Sequence, residues 1–218
     1  MIDFSFTEEQ ELFREAMREW LSKNMSLEQV RENDTNHELP KSLIKGMGDM
    51  GLLLLTIPEE DGGSGADWVT ATIAAEEMGY ADISVASAVF YLVQASWGYV
   101  VNRLASDVIK EGYIKRATRG EGFIGIGVTE PGGGSDVAGY KTELKPDGDG
   151  WVVNGEKSYI SGTAEAAEMD GGYFVSGYND RSRGHRGMTA VFVPINQEGV
   201  EITKRFDNMG RMSISTGG

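Results

Sequence analysis

The sequence predicts an α+β chain: an N-terminal all-α helical domain over residues 1–120, then a small antiparallel β-barrel or sandwich domain over residues 121–218. Three observations carry this. Apolar residues recur at helical period through the first part. From Glu121 onward the period becomes two, broken by tight-turn residues. The densest glycine loop of the chain, Val128-Thr129-Glu130-Pro131-Gly132-Gly133-Gly134-Ser135-Asp136, stands where one pattern gives way to the other.

Thr7 and Gln10 have capping-box spacing, so a first helix starts there. Leu12, Phe13, Ala16, Met17, Trp20 and Leu21 form its apolar face, and the pattern fades near Asn24. Residues 25–39 are polar and read as a connection with at most a short helical turn. Pro40 suits the first turn of a second helix, with Leu43, Ile44, Met47 and Met50 inside and Gly51 as its stop. Residues 52–57 are too short for a helix and predict a buried extended run into a loop over residues 58–65. A third helix is predicted over residues 67–77. Residues 82–104 are nearly apolar all round, as in a helix buried among others, with Gly98 marking a break. Ser106 caps a fifth helix to Arg119, whose basic last turn suits the helix dipole.

Beyond Glu121, residues 123–128 form an apolar β-like run into the Gly-rich loop. Residues 140–145 alternate as a half-buried strand, residues 146–150 turn, and residues 151–153 form a strand. Asn154-Gly155 is a strong hairpin signal, with residues 156–160 returning. Residues 173–178 and 188–194 flank a basic turn, and residues 200–206 form a last strand, which suits a small barrel or sandwich. The closing residues 212–218 read as a segment entering a further element.

Composition excludes several classes. The 218 residues are 40% hydrophobic and 25% charged, as in globular proteins, and carry a formal net charge of −14. That field argues against nucleic-acid binding. There is no cysteine, and the two histidines, His37 and His185, lie far apart. A metal site, a thiolate nucleophile and a Ser-His-Asp triad are therefore unsupported. The N-terminus lacks the pattern of a signal peptide, and no apolar run approaches the roughly 20 residues of a membrane span. The default expectation is a cytoplasmic location.

Three successive glycines let a backbone approach a bound group closely, and their N–H groups can form an anion-binding concavity. Local chemistry alone favours a long turn between strands. Likewise Tyr159 alone reads as a core aromatic, and Ser161 as a strand-end turn residue. The basic turn Arg181-Ser182-Arg183-Gly184-His185-Arg186 reads first as a solvated hairpin tip, and second as a phosphate contact.

Several stretches in order resemble one family. Thr129-Glu130-Pro131-Gly132-Gly133-Gly134-Ser135-Asp136 resembles the acyl-CoA dehydrogenase signature. The stretch from Gly51 to Gly65, the strand Asn154-Gly155-Glu156-Lys157-Ser158-Tyr159-Ile160-Ser161 and the opening Phe6-Thr7-Glu8-Glu9-Gln10 are similar to three more of its motifs. The resemblance covers essentially the whole chain. It implies the family's helical and middle β-domains, with the C-terminal four-helix bundle absent. It also implies FAD, an acyl-CoA substrate, an acceptor of the electron-transfer flavoprotein type, a role in fatty acid metabolism, and a homo-oligomer (dimer or tetramer) in the full-length form.

By the same resemblance, Ile126, Val128, Thr129, Gly134, Ser135, Tyr159, Ile160 and Ser161 are the expected cofactor-binding residues. Ser135 is expected to meet the acyl-CoA as well. Tyr159 stands where the family usually has a Trp over the flavin face, and Ser161 where it has a hydroxyl near N5. No catalytic base is nominated, because most members carry it in the missing bundle. Glu130 is expected to hold its loop by hydrogen bonds. Arg211 falls one place earlier than the Arg of many members, so no role is carried over to it. The implied reaction is α,β-dehydrogenation of an acyl-CoA thioester, with weak FAD binding and little turnover expected of these 218 residues alone. A non-catalytic flavin- or CoA-binding module, an assembly subunit, an acyl-CoA oxidase-type relative and a plain structural protein remain open. Flavin absorbance and oxygen consumption discriminate them.

Overall fold

The computed structural model describes residues 5–218; residues 1–4, read above for a targeting signal, lie outside the described residues. Helix α1 (Glu8–Asn24) opens on the expected capping box, with the Gln10 N–H donating to the Thr7 hydroxyl at 3.2 Å and the Gln10 side chain accepting from the Thr7 N–H at 3.1 Å. Met17 and Leu21 are buried, whereas Leu12 faces solvent. A second capping box, Ser26 with Gln29, starts α2 (Leu27–Asn36), so the predicted connection holds a ten-residue helix. Helix α3 (Lys41–Asp49) follows Pro40 and buries Leu43, Ile44 and Met47.

Residues 52–57 are buried as expected, but they run through successive turns instead of an extended strand. Leu54 takes φ +55° and fills a notch at Gly98, where an added Cβ would lie 2.6 Å from Leu54 Cγ. Gly98 is thus a packing site, and α5 (Ala86–Leu104) runs through it unbroken. A Gly98→Ala variant is expected to lose about 1–3 kcal/mol to overpacking, read as a lower denaturant midpoint at unchanged slope.

Helix α4 (Trp68–Ala81) is capped by Asp67, which accepts from the Thr70 N–H at 2.7 Å. Helix α5 starts later than the apolar pattern implied, because the buried Asp82 instead gathers the N–H and hydroxyl groups of Ser84 and Ser87. The expected fifth helix is α6 (Asp107–Ile109), a π-turn (Lys110–Ile114) and α7 (Lys115–Thr118) in succession. In the π-turn Ile114 is buried and Tyr113 meets Phe192 at 4.7 Å between ring centroids.

The remainder contains β1 (Ile124–Gly127), β2 (Glu143–Asp147), β3 (Gly150–Asn154), β4 (Ile160–Ser161), helix α8 (Thr163–Glu168), β5 (Gly172–Tyr178), β6 (Met188–Pro194) and β7 (Thr216–Gly217). The helical-then-β architecture is as expected, but the main sheet is mixed. β5 lies parallel to β1 (Ile124↔Gly172 through Gly127↔Val175), parallel to β2 at Tyr178, and antiparallel to β6. The hairpin β2–β3 and helix α8 intervene between β1 and β5, and a connection of that length permits the parallel pairing.

Asn154-Gly155 does not turn a hairpin: β4 pairs with β7 instead of β3. Gly155 lies against the Thr142 backbone, and Lys157 is drawn into a buried ion pair, so tertiary contacts override the local turn signal. Helix α8 had no counterpart in the sequence reading. The expected strand over residues 200–206 is reduced to one bridge and a few bonds to the chain end, such as the Thr203 N–H to the Gly218 carbonyl at 2.8 Å. Phe123 joins the two parts of the core, meeting Phe90 of α5 and Tyr173 of β5.

Candidate functional site

Strand β1 is held on both edges. On one side it pairs with β5. On the other, the buried Gln94 of α5 accepts the Ile124 N–H and donates to the Ile124 carbonyl, both at 3.1 Å. The chain leaving β1 is therefore delivered at a fixed height and angle. β4 arrives opposite, fixed by Ile160↔Gly217 and Ser161↔Thr216.

Between them is a cleft of about 130 Å³ lined by Val93, Trp97, Ile126, Val128, Thr129, Tyr159, Ile160 and Ser161. Six of the eight expected cofactor-binding residues meet here: Ile126, Val128, Thr129, Tyr159, Ile160 and Ser161. Gly134 and Ser135 are outside its lining. The Gly134 carbonyl accepts from the Tyr140 hydroxyl at 2.9 Å, and Ser135 is exposed on the loop beyond. Val93 and Trp97 were missed. They stand one helical turn apart on α5, but on a helix apolar all round nothing in the sequence marks which side chains face a cleft.

The polar groups of this cleft are sorted in a specific way. The Val128 carbonyl accepts from Lys157 Nζ at 2.9 Å, and the Thr129 carbonyl from the Ser158 N–H at 2.8 Å. Among the described residues, the N–H groups of Val128 and Thr129 and the hydroxyls of Thr129 and Ser161 have no acceptor or donor partner. At Val128 and Thr129, then, the carbonyls are engaged by the protein and the donors are left for something else. Tyr159, at φ +59°, is 64% exposed as a residue, with its ring stacked on Phe206 at 4.6 Å.

Glu130 sits behind the loop and does hold it. Its carboxylate accepts from the Lys141 N–H (2.6 Å), the Thr142 N–H (2.9 Å), the Thr142 hydroxyl (2.6 Å) and Lys157 Nζ (2.9 Å). Burial pushes this carboxyl upward, but the hydrogen bonds outweigh it and bring it down to about 2. Burial also draws the Lys157 ammonium below its ordinary value, opposed by the Glu130 carboxylate. The charge-stabilising direction at Glu130 prevails, because every donor there is geometrically satisfied. Reciprocal backbone bonds between Glu130 and Gly133 close the turn at 3.1 and 3.2 Å. Beyond it, an added Cβ at Gly132 or Gly134 would meet nothing within 4 Å, so the loop's outer face is open to an approaching group.

The other candidates fall elsewhere. In the basic turn, Arg181 is used internally, donating to the Tyr140 carbonyl at 2.7 Å and lying over the Tyr178 ring, while Arg183, His185 and Arg186 are exposed. Arg211 donates to the Thr216 hydroxyl at 3.0 Å. A larger cleft of about 720 Å³ opens between β3, β5, β6 and residues 197–203, with Trp151, Tyr173, Val193 and Ile202 in its walls. It shares Ile160 with the smaller cleft but is not the one the signature lines. Among the described residues, no helix is long and apolar enough to cross a membrane, and no group of three or more acidic or histidine side chains is placed to hold a metal.

A flavin fits the chemistry of the smaller cleft. It has apolar walls for a flat ring, an exposed aromatic at its mouth, and unpartnered donors along one rim. Its volume, below the roughly 300 Å³ of an ordinary small-ligand pocket, suits one edge of the ring.

Comparison with known proteins points the same way. Among curated relatives, a 3-(aryl)acrylate reductase of Clostridium sporogenes is 32% identical over 97% of this chain and 54% of its own length. The mitochondrial short-chain specific acyl-CoA dehydrogenase of Rattus norvegicus is 32% identical over 96% of this chain and 49% of its own. The chain thus spans about half the length of the curated relatives it matches. Among solved structures, butyryl-CoA dehydrogenase from Megasphaera elsdenii superposes with a TM-score of 0.86 at 27% identity, covering 99% of this chain and 56% of that one. A chain described as electron transferring flavoprotein of Acidaminococcus fermentans superposes at 0.89 with 28% identity, covering 99% and 55%. The model of the acyl-CoA dehydrogenase N-terminal domain matches residues 7–121 and that of the middle domain residues 125–218, and the chain accordingly belongs to the acyl-CoA dehydrogenase family.

Proposed function

We propose that this chain takes part in FAD-dependent α,β-dehydrogenation of an acyl-CoA thioester, and that its cleft seats the polar edge of the flavin. The observation that carries this is the gathering of unpartnered donors from Val128, Thr129 and Ser161 within one cleft. When bound, FAD supplies the hydride acceptor for the substrate's β-hydrogen. The Thr129 hydroxyl and the two free N–H groups donate toward ring acceptors, and the Ser161 hydroxyl donates from the opposite wall. The Tyr159 ring covers the flavin face, and Val93 and Trp97 keep water from it. Gly134 and Ser135 form the outer lip, where flavin phosphate and the pantetheine of acyl-CoA approach. Glu130 is not the base, since its carboxylate is committed to four donors. On this reading the electrons pass to an acceptor of the electron-transfer flavoprotein type, and the working form is a homo-oligomer.

The test is reconstitution of the chain with FAD. Saturable quenching of flavin fluorescence is expected, with Thr129→Val and Ser161→Ala each weakening Kd about fivefold, as loss of one hydrogen bond implies. A chain that takes up no flavin at any concentration overturns the reading.

A further inference from the structure

We propose that Lys157 is a positioning residue for the flavin seat, aiming the Thr129 N–H into the cleft by holding the Val128 carbonyl at the other end of the same peptide unit. The inference rests on the flavin reading above and assigns a role to a residue that lines no part of the smaller cleft.

A trans peptide is planar, with its C=O and N–H pointing in opposite directions. Whatever fixes the Val128 carbonyl therefore fixes the Thr129 N–H. Lys157 Nζ stands 2.9 Å from that carbonyl oxygen. Nothing in its surroundings lets it swing away. The same Nζ is 2.9 Å from Glu130 Oε1 and 4.7 Å from the centre of the Tyr140 ring, and the side chain is only 10% exposed. The next peptide is held independently by the Ser158 N–H on the Thr129 carbonyl, so residue 129 is clamped from both sides. Between the two clamped carbonyls lies the Thr129 N–H, which has no protein partner among the described residues.

An ammonium on the carbonyl end also polarises the peptide, making the opposite N–H a stronger donor. The matching ligand group is an acceptor atom on the pyrimidine edge of the flavin, which gains negative charge when the ring is reduced. A donor aimed there binds the reduced form more tightly than the oxidised form, which is the condition for favouring hydride arrival.

The experiment measures Kd for oxidised and for dithionite-reduced FAD on the full chain, on Lys157→Met and on Lys157→Met/Glu130→Gln. Both variants are expected to lose about tenfold more affinity for reduced than for oxidised FAD, moving the potential of the bound flavin to more negative values. Loosened structure alone would weaken both forms equally and leave the potential unmoved. The double variant leaves no buried charge unpaired, so it carries the test if Lys157→Met fails to fold. Equal losses for both redox forms, or none, overturn the positioning role while leaving the flavin reading intact. A wild-type chain that binds neither form overturns the flavin reading itself, and this proposal with it.

Discussion

Replacing Phe123 by Ala is expected to destabilise the chain by about 3–5 kcal/mol, the usual cost of deleting a fully buried aromatic ring. The ring is 0% exposed. It contacts Phe90 of α5 and Tyr173 of β5, each at 5.8 Å between centroids, in tilted or edge-on arrangements that add to burial. Its neighbourhood has little means of collapsing into the hole. An added Cβ on Gly162 would lie 2.2 Å from the Phe123 ring, and Gly162 itself holds φ +78°. Gly171 packs as closely on the Phe123 main chain. The backbone is pressed against the ring at Gly162 and against the main chain of the same residue at Gly171, so the cavity persists and the cost falls at the high end. Because Gly162 follows Ser161 directly, the Ser161 hydroxyl should also lose its setting. Urea unfolding gives the first effect as a lower midpoint at unchanged slope. A loss under about 1 kcal/mol would show that the ring is not the joint between the helical and β cores.

Acid should weaken the molecule through Glu130. Its carboxyl has an ordinary value of 4.5 and is held at about 2 in the folded chain. A depressed folded value means that the contribution is complete above about 4.5. It is lost progressively as pH falls toward about 2 and absent below. The size is on the order of 3 kcal/mol from the linkage relation. At neutral pH, Glu130→Ala should cost about 3–5 kcal/mol, since it strands the Lys157 ammonium where the side chain is only 10% exposed. The check is the pH dependence of unfolding free energy for the wild type minus that of Lys157→Met/Glu130→Gln. If the difference is flat between pH 4.5 and 2, Glu130 is not the group responsible.

What the sequence made legible was whatever is written locally. The Thr7 capping box, the change of period near residue 121 and the β1-to-loop signature all encode their own geometry. The Ser26–Gln29 capping box was equally explicit, and the polar composition of residues 25–39 masked it. The losses came where distant residues decide. Asn154-Gly155 is a turn dipeptide whose following chain is claimed by Glu130, so no local rule could find β4 paired with β7. Val93 and Trp97 became visible only once β1 was laid across α5. The direction of β5 depends on a crossover that no alternation of apolar residues records. In the site, residue types were legible, but the sorting of engaged carbonyls from free donors was not. That sorting arises from peptide orientation.

Gln94 has one more consequence. An isolated sheet margin offers a row of unsatisfied main-chain groups, which invites a strand from another molecule and so promotes aggregation. At Ile124 both of those groups are already taken, by a primary amide that copies the hydrogen-bonding face of a peptide. One side chain from a helix thus serves as a single-residue strand. It ends the sheet there and guards the chain against self-association at the margin that leads to the cleft.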